Sequence, residues 1–264
     1  MRGLDFILDL LFPPRCAVCR NPSDHSGLCG ECRNRYLREL FEKCPECGKD
    51  PSECVCGSEF LVHTRTEIGG KKCCALCWYK SRTNYPDEDR VTERMIWELK
   101  NHGMFAEFFA GELCRCLKNL FERGNLSFDG WMLAYIPRSA EKFAECGVDQ
   151  SREIGRRLAK KLDIPFAELF EREEGREQKH LNAAERLENA ENSLRIREDR
   201  LIPGGKYLLL DDIITSGATM ETAAKLLYFH GAGAVYPIAA ARNMPKPRHH
   251  TNHNCENNIK ETML

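Results

Sequence analysis

The 264-residue chain has no apolar run approaching the roughly 20 residues that a membrane span needs, so no membrane insertion is expected. It has no excess of either charge. Its 39 Lys+Arg against 40 Asp+Glu leave a net −1, and no global field draws it to a polyanion. No GxxxxGK[ST] segment occurs, which excludes a P-loop. "GAGAVYP", from Gly231, leads into a strand pattern and does not open a helix, so it is not a dinucleotide fingerprint. The opening "MRGLDFILDLLFPPRC" has Asp5 and Asp9 inside its apolar run and no small-residue cleavage site. It therefore reads as a short docking helix with Leu4, Leu8 and Leu11 on one face, ended by Pro13-Pro14, and not as an export signal; a cytoplasmic chain is expected.

Cysteine is abundant instead: 15 residues, 11 of them between Cys16 and Cys77. Without an export signal, metal binding is favoured over disulfides. "CAVC" (Cys16, Cys19) and "CGEC" (Cys29, Cys32) are two turns that each aim a pair of thiolates at one zinc ion, and together they complete a tetrahedral site. "CPECG" (Cys44, Cys47) and "CVC" (Cys54, Cys56) form a second candidate set with a less regular last pair; interleaved pairing also fits the spacing. The head has too few large apolar side chains for a core of its own, so metal would hold it together. Cys74 and Cys77, in "CCALCWY", read as strand cysteines because Leu76, Trp78 and Tyr79 surround them.

Residues 90–121 read as two helices, "WMLAYIP" as a buried strand, and "SREIGRRLAKKLDIP" as a helix with Ile154, Leu158 and Leu162 on one face. Strand, polar loop and helix make half of a βαβ unit. The segment 171–199 is almost entirely polar and reads either as a solvated helix or as a flap over a site.

"YLLLDDIITSGAT" carries the chemistry. Its apolar run is a central strand, and "GATMETAAKLLYFHGAGA" is a helix closed by Gly231 and Gly233. Asp211 and Asp212 thus sit at the carboxyl end of a parallel strand, where open α/β sheets bind ligands. The loop of Thr215, Ser216, Gly217, Ala218 and Thr219 opens onto a helix N-terminus whose N–H groups and hydroxyls suit a phosphate. Carboxylates would repel that phosphate but accept hydrogen bonds from hydroxyls. A ribose 5-phosphate meets both demands, its diol on the carboxylates and its phosphate on the loop.

This stretch resembles the phosphoribosyl pyrophosphate (PRPP) motif of type I phosphoribosyltransferases. From about Leu4 to Arg242 the chain resembles the ComF family, through "LLFPPRCAVC", "LCGEC", "CPECG", "ELKNHG", "YIPRS", "GVDQSREIGRRLAKKL", "QKHLNAAERLENA" and "LLLDDIITSGAT" in that order. The resemblance implies an α/β fold: a type I phosphoribosyltransferase-like parallel sheet flanked by helices, with a small N-terminal zinc-ribbon-like module. The modules would be 1–60, 61–242 and a disordered tail at 243–264. It also implies that Asp211 and Asp212 hold the ribose hydroxyls and 215–219 the 5-phosphate. Arg138 and Ser139 would meet pyrophosphate together with Mg²⁺, and Gln178 and Arg186 would sit on the flap. Where the family has Arg-Gly-Phe-Asn-Gln, this chain has Cys146, Gly147, Val148, Asp149 and Gln150, so one cation is missing and one negative charge is added. The implied roles are PRPP binding in the handling of transforming DNA, with displacement of pyrophosphate if catalytic. The alternative is a non-catalytic sensor of ribose phosphates whose zinc head contacts single-stranded DNA or a DNA-uptake helicase; Tyr36, Phe41 and Trp78 are candidates for base stacking that read equally as core.

Overall fold

The computed structural model describes residues 14–23, 27–40, 42–54, 56, 66–82, 85, 90–172 and 193–245. The expected N-terminal docking helix, the boundary at residue 60, Phe41, Gln178, Arg186 and the tail beyond Pro245 lie outside these residues.

In chain order the elements are α1 (Gly30–Leu40), β1 (Cys74–Tyr79), α2 (Val91–His102), α3 (Ala106–Arg123), β2 (Trp131–Tyr135), α4 (Ala140–Cys146), α5 (Gln150–Leu162), β3 (Phe166–Ala167), β4 (Phe170–Arg172), β5 (Leu194–Ile196), β6 (Lys206–Ile214), α6 (Ala218–Phe229) and β7 (Ala234–Asn243). Five strands form one sheet in the order β1-β7-β6-β2-β3, and every pairing in it is parallel. This is the expected parallel α/β sheet. β4 and β5 pair antiparallel, with Arg172 opposite Leu194, so the polar excursion leaves and re-enters at one point. Its interior, 173–192, lies outside the described residues.

The continuous apolar run of β6 is explained by burial on both faces. Leu208 and Leu210 point into a core with α2, α3 and α5; Tyr207 and Leu209 point into a second core with α6 and the β4–β5 pair. The alternation follows the two-residue period of a strand. Gly155 lets α5 lie close on the sheet: a Cβ there would come 2.8 Å from the Phe166 ring and 3.0 Å from Leu133.

The head packs into the body. Cys16, Ala17, Leu28, Cys32 and Tyr36 belong to the same core as Leu99, Phe109 and Leu117. Cys44 and Cys54 cluster with Trp78, Tyr85 and Met244. Trp78 donates its indole N–H to the Glu42 carbonyl at 3.2 Å, and the buried Arg242 reaches the Pro51 carbonyl at 3.5 Å. A segment with little apolar surface thus borrows the body's core as well as offering metal ligands.

Candidate functional site

Within each cysteine set, Cys16, Cys19, Cys29, Cys32 and Cys44, Cys47, Cys54, Cys56, all sulfurs lie within 4.8 Å of one another. Tetrahedral zinc with bonds of about 2.3 Å holds its sulfurs about 3.8 Å apart, so both sets fit the ion, and the pairing is sequential, not interleaved. Burial pushes the Cys16 thiol up, but backbone N–H groups of Cys19, Cys29 and Val18 outweigh it and bring it down to about 6. Burial and the neighbouring sulfurs push Cys32 up. Cys47 is lowered against its burial by the Lys49 N–H and neighbouring thiols, while Cys54 and Cys56 are raised, mainly by burial. Thiolates crowded this closely call for a dication among them. Cys74 and Cys77 are buried in β1 as expected of strand cysteines.

The second centre lies at the carboxyl end of the sheet. β2 ends at Tyr135, opposite Leu210, whereas β6 runs on beside β7 through Asp211 to Ile214. From this point the chain goes outward in both directions, through α5 to β3 and through α6 to β7. The crevice between β2 and β6 is therefore a topological switch point, where open α/β sheets take ligands.

Asp212 is buried, at 6% exposure, and fully engaged. Lys100 Nζ lies 3.1 Å from Oδ2, Gln150 Nε2 donates to the same oxygen at 3.0 Å, and the Ile213 N–H donates to Oδ1 at 2.7 Å. Asp211 is half-buried; it accepts the Asp212 N–H at 2.8 Å and the Ser151 hydroxyl at 3.4 Å. The two carboxyls are pushed apart in acidity. Burial raises Asp211, and the neighbouring Asp212 charge raises it further. Burial also works against Asp212, but the charge and hydrogen bond of Lys100, with bonds from Asp211 and Gln150, bring it below its ordinary value. Lys100 itself is raised: burial opposes its charge, and Asp212, Asp211 and Tyr79 outweigh that. Asp212 is held on both oxygens, whereas both hydrogen bonds to Asp211 fall on Oδ1, so Asp211 is the acid less engaged by the protein.

Beyond them, Gly217 has φ +87° and is the N-cap residue of α6. That left-handed turn suits glycine, and the first N–H groups of α6 have no intrahelical acceptors. Thr215 is exposed, Ser216 and Thr219 are half-buried, and Gly217 and Ala218 are buried. The Ser216 hydroxyl accepts from the Ala218 N–H at 3.4 Å.

The loop after β2 differs from a simple anion cradle. Arg138 turns inward, donating from Nη1 to the carbonyls of Lys100 (2.8 Å) and Val148 (3.2 Å) and to Gln150 Oε1 (3.2 Å); its Nη2 meets Cys146 Sγ at 3.5 Å. Ser139 caps α4 by accepting the Lys142 N–H at 3.4 Å. The extra acid of this loop has a structural use. Asp149 caps α5, its Oδ1 accepting from the Arg152 N–H and its Oδ2 from the Arg138 N–H, both at 3.0 Å. An Asn could make the capping bond, but only a carboxyl group accepts on both oxygens.

Lys100 and Ser151 were not among the residues singled out in the sequence, and Gln150 was named there without a role. Two others change standing: Tyr36 and Trp78 are 1% and 2% exposed, packed in the two cores that join head to body, so neither offers a face to a base. Among the described residues the large exposed aromatics are Trp97, Phe143 and Phe229.

Residues 7–58 match the double zinc ribbon domain family. The competence protein ComFC of Streptococcus pneumoniae (strain ATCC BAA-255 / R6) is 25% identical over 220 residues, 83% of this chain and 90% of that protein. An adenine phosphoribosyltransferase of Sinorhizobium medicae (strain WSM419) is 43% identical over 49 residues, 19% of this chain and 27% of its own length. Among solved structures, adenine phosphoribosyltransferase from Leishmania tarentolae matches 56% of this chain and 74% of its own at 16% identity, with a TM-score of 0.33. The chain thus joins a double zinc ribbon match at its head to an all-parallel five-stranded sheet, and it is similar to ComFC along most of its length.

Proposed function

We propose that the crevice binds a ribose 5-phosphate unit, with PRPP as the full ligand, in a cytoplasmic protein that handles incoming DNA. The observation that carries this reading is the split acid pair beside a helix-opening turn. Vicinal hydroxyls each donate one hydrogen bond, which suits two adjacent carboxyl groups as acceptors. The turn from Thr215 to Thr219 faces a phosphate with N–H groups and hydroxyls and no carboxylate of its own. In a transfer reaction, a base nitrogen bonds to the anomeric carbon as the bond to pyrophosphate breaks. Pyrophosphate leaves with the electron pair, and the base proton passes to solvent. The carboxylates would then lie near the positive charge that develops on the ring.

Metal roles divide between the two regions. Zinc fits both cysteine sets, where it would serve as a structural ion. Among the described residues these are the only groups of three or more metal-type ligands, so Mg²⁺ has no protein cage here and would come with pyrophosphate.

A second reading, ligand binding without turnover, is favoured by Arg138. Its guanidinium faces backbone carbonyls and Cys146, not the crevice, so the pyrophosphate side lacks that cation. Here the crevice senses a ribose phosphate, and DNA or a helicase is the partner. Isothermal titration of PRPP with Mg²⁺, followed by assay of pyrophosphate release with candidate bases, separates the readings. Binding with release supports transfer, binding alone supports sensing, and no binding removes both.

A further inference from the structure

Helix α2 joins the two centres. Its N-cap residue, Arg90, makes no side-chain capping bond. The N–H groups of Val91 and Thr92 go instead to the two carboxylate oxygens of Glu39, each at 2.9 Å, and the Thr92 hydroxyl donates to the same carboxylate. Glu39 belongs to the head: α1 carries the ligand Cys32 in its first turn and Glu39 in its last. An anion at this end also complements the helix dipole. Further along, Arg20, next to Cys19, reaches the buried Glu98 at 3.5 Å. At the far end Lys100 pairs with Asp212, and its carbonyl accepts from Arg138 at 2.8 Å. The 12 residues make a rod of about 18 Å. Its start is set by the head and its end sits in the crevice.

We propose that Glu39 is a positioning residue for the crevice: by capping α2 from the head, it sets Lys100 against Asp212 and so ties ligand affinity to the fold of the zinc ribbon. The affinity part rests on the ribose-phosphate reading; the placement of Lys100 does not. Most helices take their cap from the residue just before them. Here the cap comes from another element, so α2 keeps its seat only while α1 keeps its own.

The test uses the full zinc-loaded chain and Glu39→Ala. Lysines are dimethylated with ¹³C, which keeps their charge, and the Lys100 signal is assigned by its loss in Lys100→Arg. Lys100 faces Asp212, Asp211 and Tyr79, so its titration reports its seating among them. In the parent it should titrate above the ordinary lysine range. In Glu39→Ala it should move back toward that range, zinc content should hold, and affinity for ribose 5-phosphate should fall about three- to tenfold. Glu39→Gln, with one acceptor oxygen, should fall between, and it decides the matter if the alanine variant does not fold. A lower melting temperature with Lys100 titration unmoved would make Glu39 merely structural and overturn the proposal. If the parent fails to bind ribose 5-phosphate, the functional reading falls, while the Lys100 titration still decides the role of Glu39.

Discussion

The head and the body are organised by opposite means. Each cysteine set comes from one short stretch, and two knuckles suffice to bring four sulfurs together. The crevice draws its groups from far apart: Gln150 lies 62 positions from Asp212, and Lys100 sits on a different helix of the layer that holds Gln150. A site made by local spacing can be read directly, while a site made by topology requires the sheet order first. The energetics differ in the same way. The head depends on metal chemistry for what its sparse apolar side chains do not supply, whereas the body rests on two cores on either side of β6.

Removing zinc should break this comparison most sharply. Ribbon-type sites bind their ion with about 10–16 kcal/mol in isolated peptides, far beyond any single contact in the body. Elemental analysis should find two zinc ions, and Cys56→Ser should leave one. Chelation should abolish hydrogen-exchange protection of α1 while β6 and β7 keep theirs. If α1 stays protected, the shared core, not the metal, holds the head.

Next in size is the crevice. Asp212→Ala removes the acceptor of three bonds and leaves Lys100 without its nearest anion. Charge-assisted bonds contribute about 1.5–3 kcal/mol each, so PRPP affinity should fall roughly 10- to 150-fold by titration calorimetry. Gly217→Val should also weaken binding, because a β-branched residue at φ +87° strains the backbone of the loop. Acid should act on the same pair. The folded Asp212 is lowered, so its contribution to stability is full above the ordinary aspartate value near 3.8 and is lost as pH falls through the lower folded value. In Lys100→Met, the melting temperature should lose this part of its acid dependence.

What the sequence made legible follows the same division. The cysteine knuckles, β6 and the acid pair were readable because each depends on neighbours in sequence. The second cysteine set looked weaker because C-x-C is less regular than C-x-x-C, yet its sulfurs meet as closely as the first. Lys100 was inside a segment noted for its resemblance, "ELKNHG", but no local rule gives a lysine beside Met95, Ile96 and Leu99 a partner on β6. Arg138, to which the resemblance gives pyrophosphate, is held by the carbonyls of Lys100 and Val148, partners that no local rule supplies. Tyr36 and Trp78 read equally as stacking or core residues, because only the fold decides whether an aromatic in cysteine-rich surroundings is covered.

The smallest effect should come from Asp149, where the two kinds of organisation meet: a local helix cap that also pins a distant loop. Asp149→Ala removes both capping bonds and should cost about 0.5–2 kcal/mol in denaturant unfolding. Asp149→Asn keeps one acceptor oxygen and should cost less. Burial raises the pKa of Asp149 and the nearby Asp212 charge adds to this, although the N–H groups of Arg152 and Arg138 oppose it. A raised folded value means that Asp149 favours the fold fully below its unfolded value near 3.8 and loses that contribution as pH rises through the folded value. The asparagine variant has no such titration. Its stability relative to the parent should therefore improve as pH rises through this range. A gap that instead widens with pH would show that the ionised carboxylate is the favoured cap, and that the two N–H groups outweigh both burial and Asp212.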